Sequence, residues 1–438
     1  MGKDAPTTVL PRQRSRTFPL RWYFIALILV AGVVNYLDRS TLSIGNTTIA
    51  ADLELTTVQM GLLLSAFAWP YALANLPAGY LIDRFGPKKM FMAAAVSWSV
   101  ITVLTAFADS FATLYLCRVL LGVAESPFFA AGLKASQRWF AQHERSLPVS
   151  IINTGSQLGN ALAPPLLTFL LLTSGWRSMF IIVGMAGLVV AAIWWFSYRD
   201  PRPEEEADIK GPSLDAPRDA SVEEAAAKEA SWFSLLATRN TWFMILGAFS
   251  IFYTVWVFLT WLPGYLETSR GFSLEETGWI AALPYLCGIA GVLAGGALST
   301  SLITRGVHTV TARKIPIVGG AVLAAVAVTP AAYVESTTLS IILLCIGYFA
   351  AQIPIGCIWT LASDVAESHQ VASLGSIQNF GGFLGAAMAP IITGVVLDRT
   401  GTFDLVFVVG GLFLLLGAFT YGVLVREQRP QAEVEVTR

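Results

Sequence analysis

Asn153-Thr-Gly155-Ser-Gln-Leu-Gly159-Asn-Ala-Leu-Ala163-Pro164 recurs later in the chain as Asn379-Phe-Gly381-Gly-Phe-Leu-Gly385-Ala-Ala-Met-Ala389-Pro390. The shared pattern is N-x-G-x-x-x-G-x-x-x-A-P, and each copy sits inside a long apolar run, 147–172 and 371–397. Glycines four apart let two helices approach closely where lipid supplies no hydrophobic drive for association. At equivalent places in two halves of a chain, they mark an internally repeated architecture of the kind alternating-access transporters use.

Ten further runs have the length of about 20 apolar residues that a bilayer-crossing helix needs. They are roughly 22–44, 57–80, 90–108, 111–135, 177–198, 241–264, 275–303, 314–334, 337–363 and 403–425. A weaker echo pairs Pro70-Tyr71 in the second run with Pro284-Tyr285 in the eighth. In lipid only a helix or a closed barrel satisfies every backbone N–H and C=O. These runs are too long and too continuously apolar for barrel strands. The expectation is an all-α membrane protein of twelve transmembrane helices in two pseudo-symmetric halves, 22–198 and 241–425. Composition agrees: 55% of the 438 residues are hydrophobic and 13% charged, against about 25% charged in a soluble domain. The segment 199–240, with Glu204, Glu205, Glu206, Asp208, Pro212 and Pro217, reads as a solvated linker. Residues 1–21 and 426–438 read as polar termini, and the first apolar run as a retained helix, since it is too long for a cleaved signal.

Placing both termini and the linker on one side puts 23 of the 28 Lys and Arg residues there. The positive-inside rule then makes that side cytoplasmic. The net charge of −1 says nothing of partners, and no nucleic-acid partner is expected. Cys117, Cys287, Cys345 and Cys357 lie in apolar runs without metal-ligand spacing, and His143, His308 and His369 lie in or beside loops. No metal or cofactor is expected, and with no nucleophile–base pair in the spans no enzyme either.

Charges inside a span cost on the order of 3 kcal/mol each. Asp38 and Arg39 fall in the outer half of the first span, Arg118 and Glu125 in the fourth. The latter are seven residues apart, two turns, so they share a helix face. One acid and one base on each of two helices permit exchange of partners; two static ion pairs are the alternative. A carboxylate whose pairing changes can load and release a proton. Arginine, with its planar fork, suits an anionic substrate.

The loop after the second span reads Gly79-Tyr-Leu-Ile-Asp83-Arg84-Phe-Gly86-Pro-Lys88-Lys89. Its glycines permit a tight turn, and Asp83 can cap the helix that follows or pair across the interface between halves. The pattern G-x-x-x-D-R-x-G-x-K-K resembles the signature of the major facilitator superfamily. At the equivalent place Gly295–Arg305 keeps a glycine and a basic end but has Thr300 in place of the acid. Four further stretches are similar to one branch, the anion:cation symporter family. They are Asn35-Tyr36-Leu37-Asp38-Arg39, Ser65-Ala66-Phe67-Ala68-Trp69-Pro70-Tyr71, Arg118-Val-Leu-Leu-Gly122-Val-Ala-Glu125-Ser-Pro127 and Phe258-Leu-Thr-Trp261-Leu-Pro263. That family holds bacterial galactonate, glucarate, hexuronate and phthalate permeases.

The resemblance implies that Asp38 and Glu125 couple protons and that Arg39 and Arg118 partner them and the substrate. It implies that Tyr36, Tyr71, Gln157, Trp359 and Asn379 line a sugar-acid pocket, and that Gly79, Asp83, Arg84, Gly86, Lys88 and Lys89 form a gating loop. Gly356 stands where a galactonate permease has a pocket serine, which puts galactonate itself in question. The expected function is proton-coupled alternating-access transport of a small organic anion, first a sugar acid, by a monomer in a bacterial inner membrane. An exporter or uptake carrier of an aromatic carboxylate or short organosulfonate is the alternative. A non-transporting membrane sensor is the different-class alternative, which the short linker without an output domain disfavours.

Overall fold

The computed structural model describes residues 17–140, 146–205, 235–365 and 371–426, all helix and connecting turns. The linker's 206–234 and the outer parts of both termini lie outside the described residues. Among the described residues, ten helices are long and apolar enough to cross a membrane. One of them, Thr154–Ser197, has 44 residues and is two spans meeting at Gly175, whose φ of 77° no right-handed helix allows. Pro87–Thr105, shorter and opened by Lys88 and Lys89, is the twelfth.

In chain order, span one is Thr17–Ile44 continued by Asn46–Asp52, and span two is Thr57–Ser65 with Ala68–Phe85. Span three is Pro87–Thr105 and span four Phe111–Trp139. Spans five and six share Ser146–Ser197 on either side of Gly175. Span seven is Arg239–Arg270, and span eight Leu274–Ile280 with Ala282–Thr304. Spans nine, ten and eleven are Thr309–Ala331, Thr337–Val365 and Val371–Thr400; span twelve is Asp404–Phe419, ending in a π-turn at Thr420–Leu424. Several run beyond the apolar stretches, because a helix carries on into the interface after hydropathy has fallen.

The Pro-Tyr echo has a structural meaning. Helical bonding lapses at Ala66–Phe67 and again at Ala281. Pro70 and Pro284 follow by three or four residues and offer no N–H to the preceding turn, so spans two and eight loosen at matching places.

The repeat's glycines set helix spacing. A Cβ at Gly155 would lie 2.6 Å from the Leu29 carbonyl oxygen, and one at Gly159 would lie 2.5 Å from Cβ of Tyr36. In the other half the backbone of span seven at Ile245 and Phe249 closes on Gly381 and Gly385. Each copy of the motif therefore seats its span, five or eleven, against the first span of its own half. Gly155→Ala should destabilise the folded protein by about 1–3 kcal/mol, since overpacking forces the helices apart. Gly319→Ala is the control: open space lies around that position, and the loss of unfolded-state freedom should make the change neutral or stabilising. Thermal unfolding in detergent compares the two, and equal midpoints would show that the close approach is not what holds spans one and five.

Between halves, span two packs on span eleven and span five on span eight, which are equivalent pairs under the repeat. Contacts across this seam gather at the ends away from the termini. The Thr57 hydroxyl donates to Asp398 at 3.2 Å, Thr47 to Glu267 at 2.5 Å, Ser43 to the Thr260 carbonyl at 2.9 Å and Ser65 to the Ala387 carbonyl at 2.7 Å. A Cβ on Gly61 would lie 2.6 Å from the Pro390 oxygen, and one on Gly278 would lie 2.8 Å from Thr168. Toward the other ends of spans two and eight, Gly79 and Gly296 have nothing within 4 Å of an added Cβ, nor has Gly375 on span eleven. The halves touch at one membrane face and part toward the face that carries the termini.

Candidate functional site

Neighbouring residues on a helix point about 100° apart, so Asp38 and Arg39 face different neighbours. Asp38, 1% exposed, faces span three, where the Thr102 hydroxyl donates to Oδ2; Oδ1 has no hydrogen-bond partner. Arg39 turns to span four, its Nε 2.6 Å from Oε2 of the wholly buried Glu125. Its guanidinium also lies 4.8 Å from each of the Tyr36, Phe67 and Tyr71 rings, a cage suited to holding a cation by its aromatic faces. On span four, Arg118, Gly122 and Glu125 fall on one face. Gly122 lets the backbone of Phe67 come against span four, which brings the aromatic cage to the ion pair.

Arg118, 3% exposed, is not in ion-pair contact with Asp38. Its Nη2 donates to the Thr41 hydroxyl at 3.3 Å, which itself donates to the backbone carbonyl of Asp38 at 2.6 Å; Nε has no partner. So of the two acid–base pairs that the sequence allows, one is closed and one is open. With both acids ionised the four groups sum to zero charge. Each proton bound leaves one net positive charge in a water-poor interior, where it attracts an anion strongly.

Beside these charges, between the halves, lies a cavity open to solvent, with about 1010 Å³ of space free of protein atoms including that open part. Both arginines line it, while Asp38 and Glu125 stand behind them. Span five contributes Ser156, Gln157 and Asn160; spans seven, ten and eleven contribute Phe252, Trp256, Thr260, Tyr348, Gln352 and Phe383.

A model of the Major Facilitator Superfamily matches residues 28–390. The chain belongs to this superfamily. Against the probable L-galactonate transporter of Escherichia coli (strain K12) it is 35% identical over 427 residues, 96% of this chain and 93% of that protein. Against the probable galactarate/D-glucarate transporter GarP of the same strain it is 32% identical, covering 92% and 94%. A crystal structure of a bacterial homologue of the human lysosomal transporter Spinster, inward-facing and unoccupied, superposes with a TM-score of 0.76 at 21% identity, covering 92% of this chain and 96% of that one. It shows the shared facilitator fold.

Within this facilitator, Tyr36 and Gln157 of the residues named from sequence line the cavity with the two arginines. Tyr71 does not. It stacks on Phe67 at 5.4 Å and meets Phe383 of the other half at 4.9 Å, bounding the site on the side toward the termini. Trp359 and Asn379 also lie outside it. Trp359 continues the face of Tyr348, Gln352 and Ile355 one turn further and is 44% exposed; Asn379 is one turn from Phe383, with Oδ1 unpartnered. Both stand on the cavity-facing stripes where the halves have already parted. Gly356 does not line the cavity, and nothing lies within 4 Å of an added Cβ there.

In the loop after span two, Gly86 makes the turn at φ 82° and is the N-cap of span three; Gly79 sits inside span two. Asp83 is therefore not at the capping position, and its side chain lies outside the described ones. Lys88 lies over Trp195 at 5.2 Å, and its carbonyl accepts from Trp194 Nε1 at 3.1 Å, which ties the loop to span six. Arg84 lies 5.5 Å over Phe85 and Lys89 is exposed. Sequence reasoning missed Ser156 and Asn160, although each directly follows a glycine of the repeat motif and so faces about 100° round the helix from it. Gln352, a lone amide in the apolar run of span ten, was the other available signal.

Proposed function

We propose that this facilitator is a proton-coupled carrier of a sugar acid, working by alternating access. The observation that carries this is a cavity between the halves lined by two arginines, each with a buried carboxylate behind it on span one or span four. An anion entering such a site is favoured when an acid is protonated and released when the proton leaves. Hydroxyl-rich substrates match the amides and hydroxyls of Gln157, Asn160, Ser156 and Gln352. The relatives named for galactonate and for galactarate/glucarate support a sugar acid as cargo.

The parting of the halves toward the termini is then the inward-open state, and the contacts through Thr47, Thr57 and Ser65 are the closed outer gate. Asp38, Glu125, Arg39 and Arg118 are assigned to coupling and anion binding. Trp359 and Asn379 close over the substrate as the inner ends approach, and the Gly79–Lys89 loop gates that approach. The protein acts as a monomer in a bacterial inner membrane, with termini and linker in the cytoplasm.

Proteoliposomes test the main reading. Labelled sugar acids should accumulate only under an inward proton gradient, and uptake unaffected by that gradient would overturn proton coupling. A cysteine placed in 206–234 should be unreactive to an impermeant thiol reagent added outside intact cells; labelling there would reverse the topology.

A further inference from the structure

We infer that the cavity selects a polyhydroxy monocarboxylate over the dicarboxylate of the same carbon skeleton, because its cations lie on one side only. This rests on the sugar-acid reading above. Among the described residues lining the cavity, the charged ones are Arg39 and Arg118, both from the first half of the chain. The other half presents the aromatic side chains of Phe252, Trp256 and Phe383 and the neutral polar groups of Thr260, Tyr348 and Gln352.

The two arginines are not equally free. Arg39 is held by Glu125 at 2.6 Å and by three rings, so its charge is already matched. Arg118 bonds a single hydroxyl, and its Nε, buried and unpartnered, points to a ligand the protein does not itself supply. One carboxylate can take that fork in bidentate geometry. The far end of a six-carbon acid then reaches toward spans seven, ten and eleven. A terminal hydroxymethyl there can donate to and accept from the Gln352 amide. A second carboxylate would lose its water against these apolar rings, with no cation to replace it. It would also require both Asp38 and Glu125 to be protonated to leave the complex neutral, where a monoanion requires one.

The test uses the purified full-length protein and titrates galactonate and galactarate, which differ only in oxidation of the terminal carbon, at pH 7 and equal ionic strength. Thermal stabilisation in detergent and inhibition of counterflow in proteoliposomes are read together. Galactonate should act at a concentration at least about 10-fold lower, as expected for one unpaired buried charge. Gln352→Arg, which puts a cation on the second half, should narrow or reverse that ratio; Gln352→Lys serves if the first variant does not fold. Equal or tighter binding of galactarate by the unmodified protein would overturn the inference and leave the sugar-acid carrier standing. So would an unchanged ratio in a folded Gln352 variant. No response to either acid would remove the sugar-acid reading, and this inference with it.

Discussion

Asp38→Asn and Glu125→Gln are each expected to abolish accumulation of substrate driven by a proton gradient, while at least one still exchanges substrate across a membrane without a gradient. A carboxylate that carries the driving proton must change protonation once per cycle, and the neutral isostere cannot. Exchange need not release the proton, so it can survive. The two variants should differ in stability. Asp38 is held by the Thr102 hydroxyl and has no direct ion pair, so asparagine can accept the same bond. Glu125 is the direct partner of Arg39, and removing its charge leaves a buried guanidinium unmatched, at a cost of about 3–5 kcal/mol. The aromatic cage around Arg39 offsets part of this. Thermal unfolding must be measured beside transport. Two well-folded variants that still concentrate substrate in step with the proton gradient would show that these acids do not couple protons.

Arg118→Lys should weaken transport of the anion roughly 10- to 100-fold, the range set by losing a charge-assisted hydrogen bond worth about 1.5–3 kcal/mol. Lysine keeps the positive charge but not the planar fork. The structure sharpens this expectation, because Arg118 makes one hydrogen bond to Thr41 and leaves Nε unpartnered. Its guanidinium also lies 5.8 Å over the Phe180 ring, a contact that a lysine can keep in part, so little of the fold depends on the planar fork. The loss should appear in substrate affinity, read from the concentration dependence of counterflow, with folded yield unchanged. Undiminished affinity would make Arg118 structural and leave Arg39 as the anion's partner.

Much of this could be read from the chain alone. Apolar runs of membrane length can satisfy their backbone only as helices in lipid, so the spans follow from composition within a few residues. The repeated glycines at 155, 159, 381 and 385 and the prolines at 70 and 284 marked two related halves, because close approach and lost N–H groups are local properties of those residue types. The charges at 38, 39, 118 and 125 stood out for the same reason: each is costly in lipid wherever it points.

What a residue points at is not local. Asp38 and Arg39 are adjacent in sequence, yet one faces Thr102 and the other Glu125 and the cavity, since a helix turns between them. That one acid–base pair is closed and the other open depends on how spans one, three and four are spaced, which Gly122 and the repeat's glycines set together. Gln352 and Asn160 join the site, and Trp359 and Asn379 stand outside it, because the halves touch at one membrane face and separate at the other. The relative tilt of the two halves moves whole faces of helices in or out of the cavity while every residue keeps its place in its own helix. The family resemblance therefore named residues on the cavity-facing stripes, and only the packing of one half on the other decided which turn of each stripe meets the cavity.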